Sequence, residues 1–244
     1  MSLCGDSSTV EFPLFQGGDG GAIPTSPLQL NFRQITSKTS NIVVSEMHYA
    51  KRAVPVVRAF GAYFNNILHG VISFGKPASP HVCFGICGRE NSERVYELNR
   101  LWMSEHCPKN SESRFIGWSL RQLKNVKPPL ILISYADTAQ KHRGGIYMAT
   151  NWIYVGLSDE RKCGDKSIDG KHSRHGSKAS EKLKTFPRSR KHRFVYFFNQ
   201  NDKSLLKWKQ GPYPNNPKQQ RDLEMPSSRK SRRKSSDASG LSTT

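Results

Sequence analysis

The segment "CPKNSESR" at 107–114 joins a strand-like apolar run to a helix-like one. The first amides of a helix point at whatever lies before its N-terminus, and the helix dipole adds a partial positive charge there. Asn110, Ser111 and Ser113 contribute further donors and Arg114 a cation, a set that suits a pyrophosphate. The same residues also suit an ordinary Ser N-cap. Neither GxxxxGK[ST] nor GxGxxG occurs, so no phosphate fingerprint of known geometry decides between the two. Asp137 closes a second apolar run, at the kind of strand end where ligands of open parallel sheets gather. A carboxylate there can accept a proton or position a water, and it can equally cap a following helix. Arg100 sits inside the run "YELNRLWM", where a lone charge is costly. It therefore needs a partner: a cofactor phosphate, Glu97 or Asp137. His48 and Tyr49 are adjacent in a helix-like stretch, either as a functional pair or as a surface His beside a packed Tyr.

These residues depend on elements that the pattern supplies. "LQLNFRQIT" (28–36) alternates as a strand does, and "SKTSNIVVSEMHYAKR" (37–52) has a Ser/Thr start and helical apolar spacing. Residues 58–77 read as a hairpin turning at Asn65-Asn66, since Asn tolerates the left-handed turn conformation. Residues 81–88 form an apolar run of undetermined type. A strand at 95–103, a helix from Ser111 or Ser113, and a doubly buried strand at 130–137 make a β-α-β unit with parallel strands. Ile116, Leu120 and Leu123 give that helix one apolar stripe, and Pro128-Pro129 stops it. The pattern then predicts a helix over 138–150 and strands at 151–156 and 193–198, separated by a basic insertion at 157–192.

The chain has 244 residues with a net charge of +19. Its basic residues are clustered in 157–192 and 217–244, so the charge points to a polyanion, nucleic acid above all. Lys182, Lys184, Arg188, Arg190, Lys191 and Arg193 are the densest candidate DNA contacts. A folded domain is expected over 27–210, with a loose arm at 1–26 and a basic tail at 211–244. No apolar stretch has the length of a membrane span, and residues 1–20 lack the basic start and apolar run of a signal peptide. The 5 cysteines are expected as reduced thiols in a cytoplasm, with Cys83 and Cys87 in the core.

The order of elements, ending in "GGIYMATNWIYVG", resembles the GNAT family of acyl-CoA transferases over about residues 28–200. The fold this implies is α+β: a mixed, mostly antiparallel sheet around a central parallel β-α-β unit, with helices on both faces. The resemblance makes acetyl-CoA the expected donor and Arg100, Ser111, Ser113 and Arg114 its candidate binding residues. The family's loop, Q/R-x-x-G-x-G/A, is matched here without its two glycines. In GNAT enzymes a tyrosine near the position of Tyr147 protonates the departing thiolate, and the segment holding His48 and Tyr49 lines the acceptor side. A helix-face Tyr packed with a wet hydroxyl is the alternative for Tyr147.

"SEMHYAKR", "FGAYFNNILHGVISFG", "YELNRLWM", "SLRQLK" and "HRGGIYMATNWIYVG" look like the Mom proteins of Mu-like phages. That resemblance implies a transferase acting on double-stranded DNA in the host cytoplasm. It would convert the exocyclic amine of a flipped adenine to a carbamoylmethyl form and so shield phage DNA from host restriction. Tyr147, Asp137, His48 and Tyr49 are then the catalytic candidates, with Tyr49 able to stack on the extruded base. Thioester aminolysis would attach the two-carbon unit through its carbonyl, not its methyl carbon. A redox metal is one answer to that difficulty, and His48, Tyr49 and Asp137 offer donors of the kind non-haem iron accepts. A conventional GNAT acetyltransferase acting on protein or RNA amines, and a non-catalytic basic nucleic-acid-binding protein, are the competing readings.

Overall fold

The computed structural model describes residues 23–159 and 189–214, together with the backbone of short strands within 165–186. Seven strands form the main sheet in the order β1-β2-β3-β4-β5-β10-β6. These are β1 (Asn31–Ile35), β2 (Arg58–Phe64), β3 (Ile67–Gly75), β4 (Val95–Met103), β5 (Ile131–Asp137), β6 (Ile153–Leu157) and β10 (Lys191–Phe197). Every neighbouring pair is antiparallel except β4 and β5. Strands β7 (Asp165–Ile168), β8 (Lys171–His172) and β9 (Lys184–Phe186) lie inside the basic insertion and make a small antiparallel sheet of their own.

Local chemistry explains most of the elements. The β2–β3 hairpin turns on Asn65 (φ 48°) and Asn66 (φ 61°), as their tolerance of left-handed backbone requires. Helix α1 (Ser37–Met47) starts at Thr36, whose hydroxyl accepts from the Thr39 amide. It ends earlier than the periodicity predicts, because His48 and the residues after it leave the helical path. The run at 81–88 is a helix, α2 (Pro80–Cys87), with Pro at its first turn and Gly88 (φ 83°) beyond its end. Helix α3 (Ser111–Leu123) buries Phe115, Ile116, Leu120 and Leu123.

The predicted helix over 138–150 is not formed. A 3-10 turn (Thr138–Gln140) is followed by left-handed Lys141 (φ 56°) and Gly144 (φ 76°), and only α4 (Gly145–Met148) is helical. Two positive φ values in four residues cannot belong to one right-handed helix. The result is an exposed Lys141-His142-Arg143 turn where a helix face was expected.

Two apolar layers clasp the sheet. One packs Phe115, Ile116 and Leu120 of α3 against Phe60, Phe74, Leu98, Leu132 and Phe194. On the opposite face, α2 packs Cys83, Ile86 and Cys87 on Val95, Ile133 and Val195, and α1 packs Val43 and Val44 on Tyr63, Leu68 and Val71. Cys83 and Cys87 are core thiols, as expected.

The parallel pair is incomplete. Pairing of β4 with β5 stops at Leu98 opposite Ser134, although β4 runs on to Met103 and β5 to Asp137. Beyond that point the two strands part. Ser134 meets the first carbonyl freed by the parting, its hydroxyl donating to Leu98 O at 3.0 Å.

Candidate active site

A cleft of about 570 Å³ opens where β4 and β5 part. Its walls come from Leu98–Leu101 of β4 and Ser134–Ala136 of β5, the first turn of α3, α4, and the His48-Tyr49 pair. A second groove of about 810 Å³ shares Asn110, Ser113 and Ala149 with it and continues along α3 past Arg114, Arg121 and Lys124. The cleft thus reaches both faces of the sheet at one break in its hydrogen bonding.

On the α3 side, Asn110 takes a left-handed conformation (φ 72°) and turns the chain into the helix. The first intrahelical bond is Arg114 N to Asn110 O, and Ser111 N bonds Pro108 O. The amides of Glu112 and Ser113 therefore have no acceptor within the helix. Glu112 lines the same wall, and burial raises its pKa towards the neutral form. Cys107, nearby, is pushed up to about 11 by burial and by Glu112. Tyr147 enters from α4 and is buried, its hydroxyl 2.8 Å from Ser134 Oγ. Its ring stacks on Phe194 at 4.7 Å. Burial raises the phenol pKa well above its usual value, so the group is a donor and not a base at neutral pH.

On the α1 side, His48 is 6% exposed and its Nδ1 accepts from the Ala50 amide at 3.1 Å. The ring proton is thereby placed on Nε2. Burial, then Arg100, His142 and Lys191, lowers its pKa from 6.5 to about 4. Neutral His48 is a hydrogen-bond donor at physiological pH. The sign of the linkage follows: the unfolded chain binds this proton more readily than the folded one. His48 therefore contributes stability that is complete above about pH 6.5 and lost as the pH falls towards 4. Urea midpoints measured from pH 7 to 4 should fall less steeply for His48→Gln than for the unmodified chain; parallel curves would remove His48 from the acid limb. Tyr49 is 52% exposed, lies 4.2 Å from the His48 ring, and meets His142 edge-on at 6.1 Å.

The structure brings His48, Tyr49, Arg100, Ser113 and Tyr147 together around one cleft. Other expected residues lie elsewhere. Ser111 is buried and its hydroxyl donates to Pro108 O at 2.7 Å. Arg114 turns away to donate to Leu30 O and to cover Phe32, so it borders the second groove only. Asp137 is occupied: it accepts from Ser189 Oγ at 2.6 Å and from Ala139 N at 2.9 Å, with Lys191 Nζ at 3.7 Å. Burial would raise its pKa, but these three partners outweigh burial and hold it below the usual range. Arg100 pairs with neither Glu97 nor Asp137; it donates to Asn99 O and Arg52 O.

Of the expected DNA contacts, Lys182 and Arg188 lie outside the described residues, and for Lys184 only the strand backbone of β9 is described. Arg190 is exposed, with Nε donating to Ser158 O. Lys191 pairs with Asp137. Arg193 covers Trp208 at 4.4 Å and donates to Val155 O, which makes it a packing residue of the α2 face.

Among the described residues no three His, Cys, Asp or Glu side chains converge as metal ligands. With His48 Nδ1 and Asp137 both engaged, the donor set does not fit iron. Pattern reading also passed over Lys109, Glu112, His142 and Arg143, all of which line the cleft. The Gly144-Gly145 pair is a turn signal that a helix over 138–150 passes over.

The mixed sheet, its parted parallel pair and a free helix N-terminus at the parting define an α/β protein of GNAT-like layout. The chain belongs to the Mom protein family, whose model matches residues 29–215. It is 25% identical over 140 residues to the methylcarbamoylase Mom of Escherichia phage Mu. The match takes in 57% of this chain and 58% of that relative, so under two thirds of the relative's length is spanned. Similar solved structures include an N-acetyltransferase from Staphylococcus aureus Mu50 at a TM-score of 0.43 and 10% identity, covering 70% of this chain and 99% of that one. Another is the acetyltransferase-like YncA of Salmonella typhimurium with acetyl-CoA, at 0.44 and 8% identity, covering 70% and 95%.

Proposed function

We propose that the chain is a DNA-modifying transferase that converts the exocyclic amine of adenine to a carbamoylmethyl form, drawing on an acyl-CoA-type donor. Shielding of phage DNA from host restriction is the consequence. The observation that carries this reading is the cleft itself. It joins a helix N-terminus suited to phosphate on one face of the sheet to an aromatic, partly exposed acceptor wall on the other. Membership of the Mom family supports adenine as the acceptor.

The α3 groove fits a coenzyme A carrier. Asn110 and Ser113 at the start of α3 border it, and Arg121 and Lys124 border it further along. When bound, such a carrier supplies an activated two-carbon unit. The rest of the work falls to the chain's own side chains. Tyr147 lines the cleft from the α3 face with its hydroxyl on Ser134 Oγ, and Tyr49 offers a ring on which an extruded purine can stack. Base extrusion costs a few kcal/mol, so phosphate contacts must hold the duplex. Lys141 and Arg143 are exposed cations that line the cleft. No helix among the described residues is long and apolar enough to cross a membrane.

Nucleoside mass spectrometry of plasmid DNA from cells expressing the chain tests the reading. A carbamoylmethyl increment on deoxyadenosine is expected. Unmodified DNA alongside newly acetylated host proteins would select ordinary amine acetylation instead.

A further inference from the structure

Strand β4 shifts register at Asn99, which pairs with no residue of β3. Beyond the shift, the alternation of a strand assigns the faces. Leu101 packs in the α3 layer and Trp102 in the α1 layer. Arg100 therefore shares the face of Trp102, and its guanidinium donates to the Arg52 carbonyl in the segment after α1. It lines the cleft with His48 and Tyr49 and is absent from the walls of the α3 groove. A cation that the sequence offers to a carrier phosphate thus lies across the sheet from the groove that fits the carrier.

Arg100 is partly buried and makes no ion pair with a described residue. One guanidinium N–H donates to Asn99 O at 2.6 Å and another reaches Arg52 O at 3.5 Å, while Nε has no hydrogen-bond partner. A cation drawn partly out of water without a counter-ion is costly, so the partner it lacks is an anion that enters the cleft. The rim repeats the sign. Lys141 and Arg143 are exposed, line the same cleft and pair with no described carboxylate. Their turn is held by its own backbone: Lys141 N donates to Thr138 O at 3.0 Å and His142 N to Asp137 O at 3.2 Å. His142 meets the Tyr49 ring edge-on at 6.1 Å, which ties the turn to the stacking ring. Among the described residues that line the cleft, Glu112 is the one carboxylate, and it belongs to the first turn of α3. The α1 side of the cleft is therefore cationic around an exposed aromatic ring, the pairing that takes a nucleotide by base and phosphate together.

We propose that Arg100, with Lys141 and Arg143 at the rim, grips the backbone phosphates that flank the nucleotide held against Tyr49, so that Arg100 serves the acceptor and not the carrier. This rests on the reading of the cleft as a base-modifying site. The test is binding of the full chain to duplexes with one unpaired adenine, in which each phosphate near that adenine is replaced in turn by a neutral methylphosphonate. The unmodified protein should bind about tenfold more weakly when a phosphate next to the adenine is neutral. Arg100→Gln should lose about as much on the intact duplex and then be indifferent to that replacement, because the contact is already gone. Replacements several phosphates away should weaken both proteins alike. A double variant, Lys141→Gln with Arg143→Gln, lies at exposed positions and is judged by the same criterion; it decides if Arg100→Gln fails to fold. Losses that simply add, or an unmodified protein indifferent to both neighbouring phosphates, overturn the proposal. A carbamoylmethyl mark on plasmid DNA together with additive losses strikes this proposal alone. Plasmid DNA left unmodified while the losses stay coupled sinks the base-modification reading and leaves the phosphate grip standing.

Discussion

Replacing Tyr147 with Phe is expected to lower turnover by about 10²–10³ while leaving DNA affinity unchanged. The phenol is buried on the cleft wall, and burial raises its pKa. A phenol raised in this way holds its proton firmly, so complete transfer to a departing thiolate is uphill. What remains is a hydrogen bond aimed at charge that develops in the transition state. Ser134 sets when that bond is available. With its proton on Leu98 O, Ser134 takes the Tyr147 proton; with its proton turned to Tyr147 Oη, the phenol proton is free for the cleft. Loss of one partly satisfied hydrogen bond costs the fold about 1 kcal/mol. A drop in turnover far beyond that is therefore a statement about the reaction. Steady-state kinetics on duplex substrate, with DNA affinity measured in parallel, checks it. Full turnover in the Phe variant would leave Tyr147 as a packing residue between Trp152 and Phe194.

Features that rest on neighbouring residues were legible in the sequence. The Asn65-Asn66 hairpin, the Thr36 start of α1 and the β4-α3-β5 unit each follow from turn chemistry, capping or apolar runs within a few positions. So did the gathering of His48, Tyr49, Arg100, Ser113 and Tyr147, because strand ends and a helix start bring them to one place. What escaped depends on distant partners. At Asp137 a proton acceptor and a helix cap are equally legible; the structure realises the cap on Ala139 N, and Ser189 and Lys191 reach the same carboxylate. Glu97 and Asp137 were both legible as partners of Arg100, but β4 shifts register at Asn99 and Arg100 donates instead to the carbonyls of Asn99 and Arg52. Arg193 looked like a phosphate contact, but Trp208 covers it.

Gly144 is the sharpest case of that distant dependence, and it carries the largest expected effect on stability. The helix predicted over 138–150 fails there because the backbone turns left-handed at φ 76°. A Cβ on Gly144 would stand 2.2 Å from Phe194 Cζ and 2.5 Å from Cε2. Phe194 cannot yield: it is 0% exposed and sits between Tyr147 at 4.7 Å and Tyr154 at 5.3 Å. Gly144→Ala therefore combines left-handed strain of about 1 kcal/mol with overpacking of about 1–3 kcal/mol. A fall in Tm of about 10 °C is expected, with loss of turnover because Tyr147 rides on the displaced ring. Gly156 supplies the comparison. Its φ is 82°, yet a Cβ there meets nothing within 4 Å, so Gly156→Ala should cost the backbone strain only, about 1 kcal/mol. Thermal denaturation of the two variants separates the contributions. Equal losses would mean that the Phe194 contact is not what requires glycine at 144, and that the Lys141-His142-Arg143 turn is set by backbone preference alone.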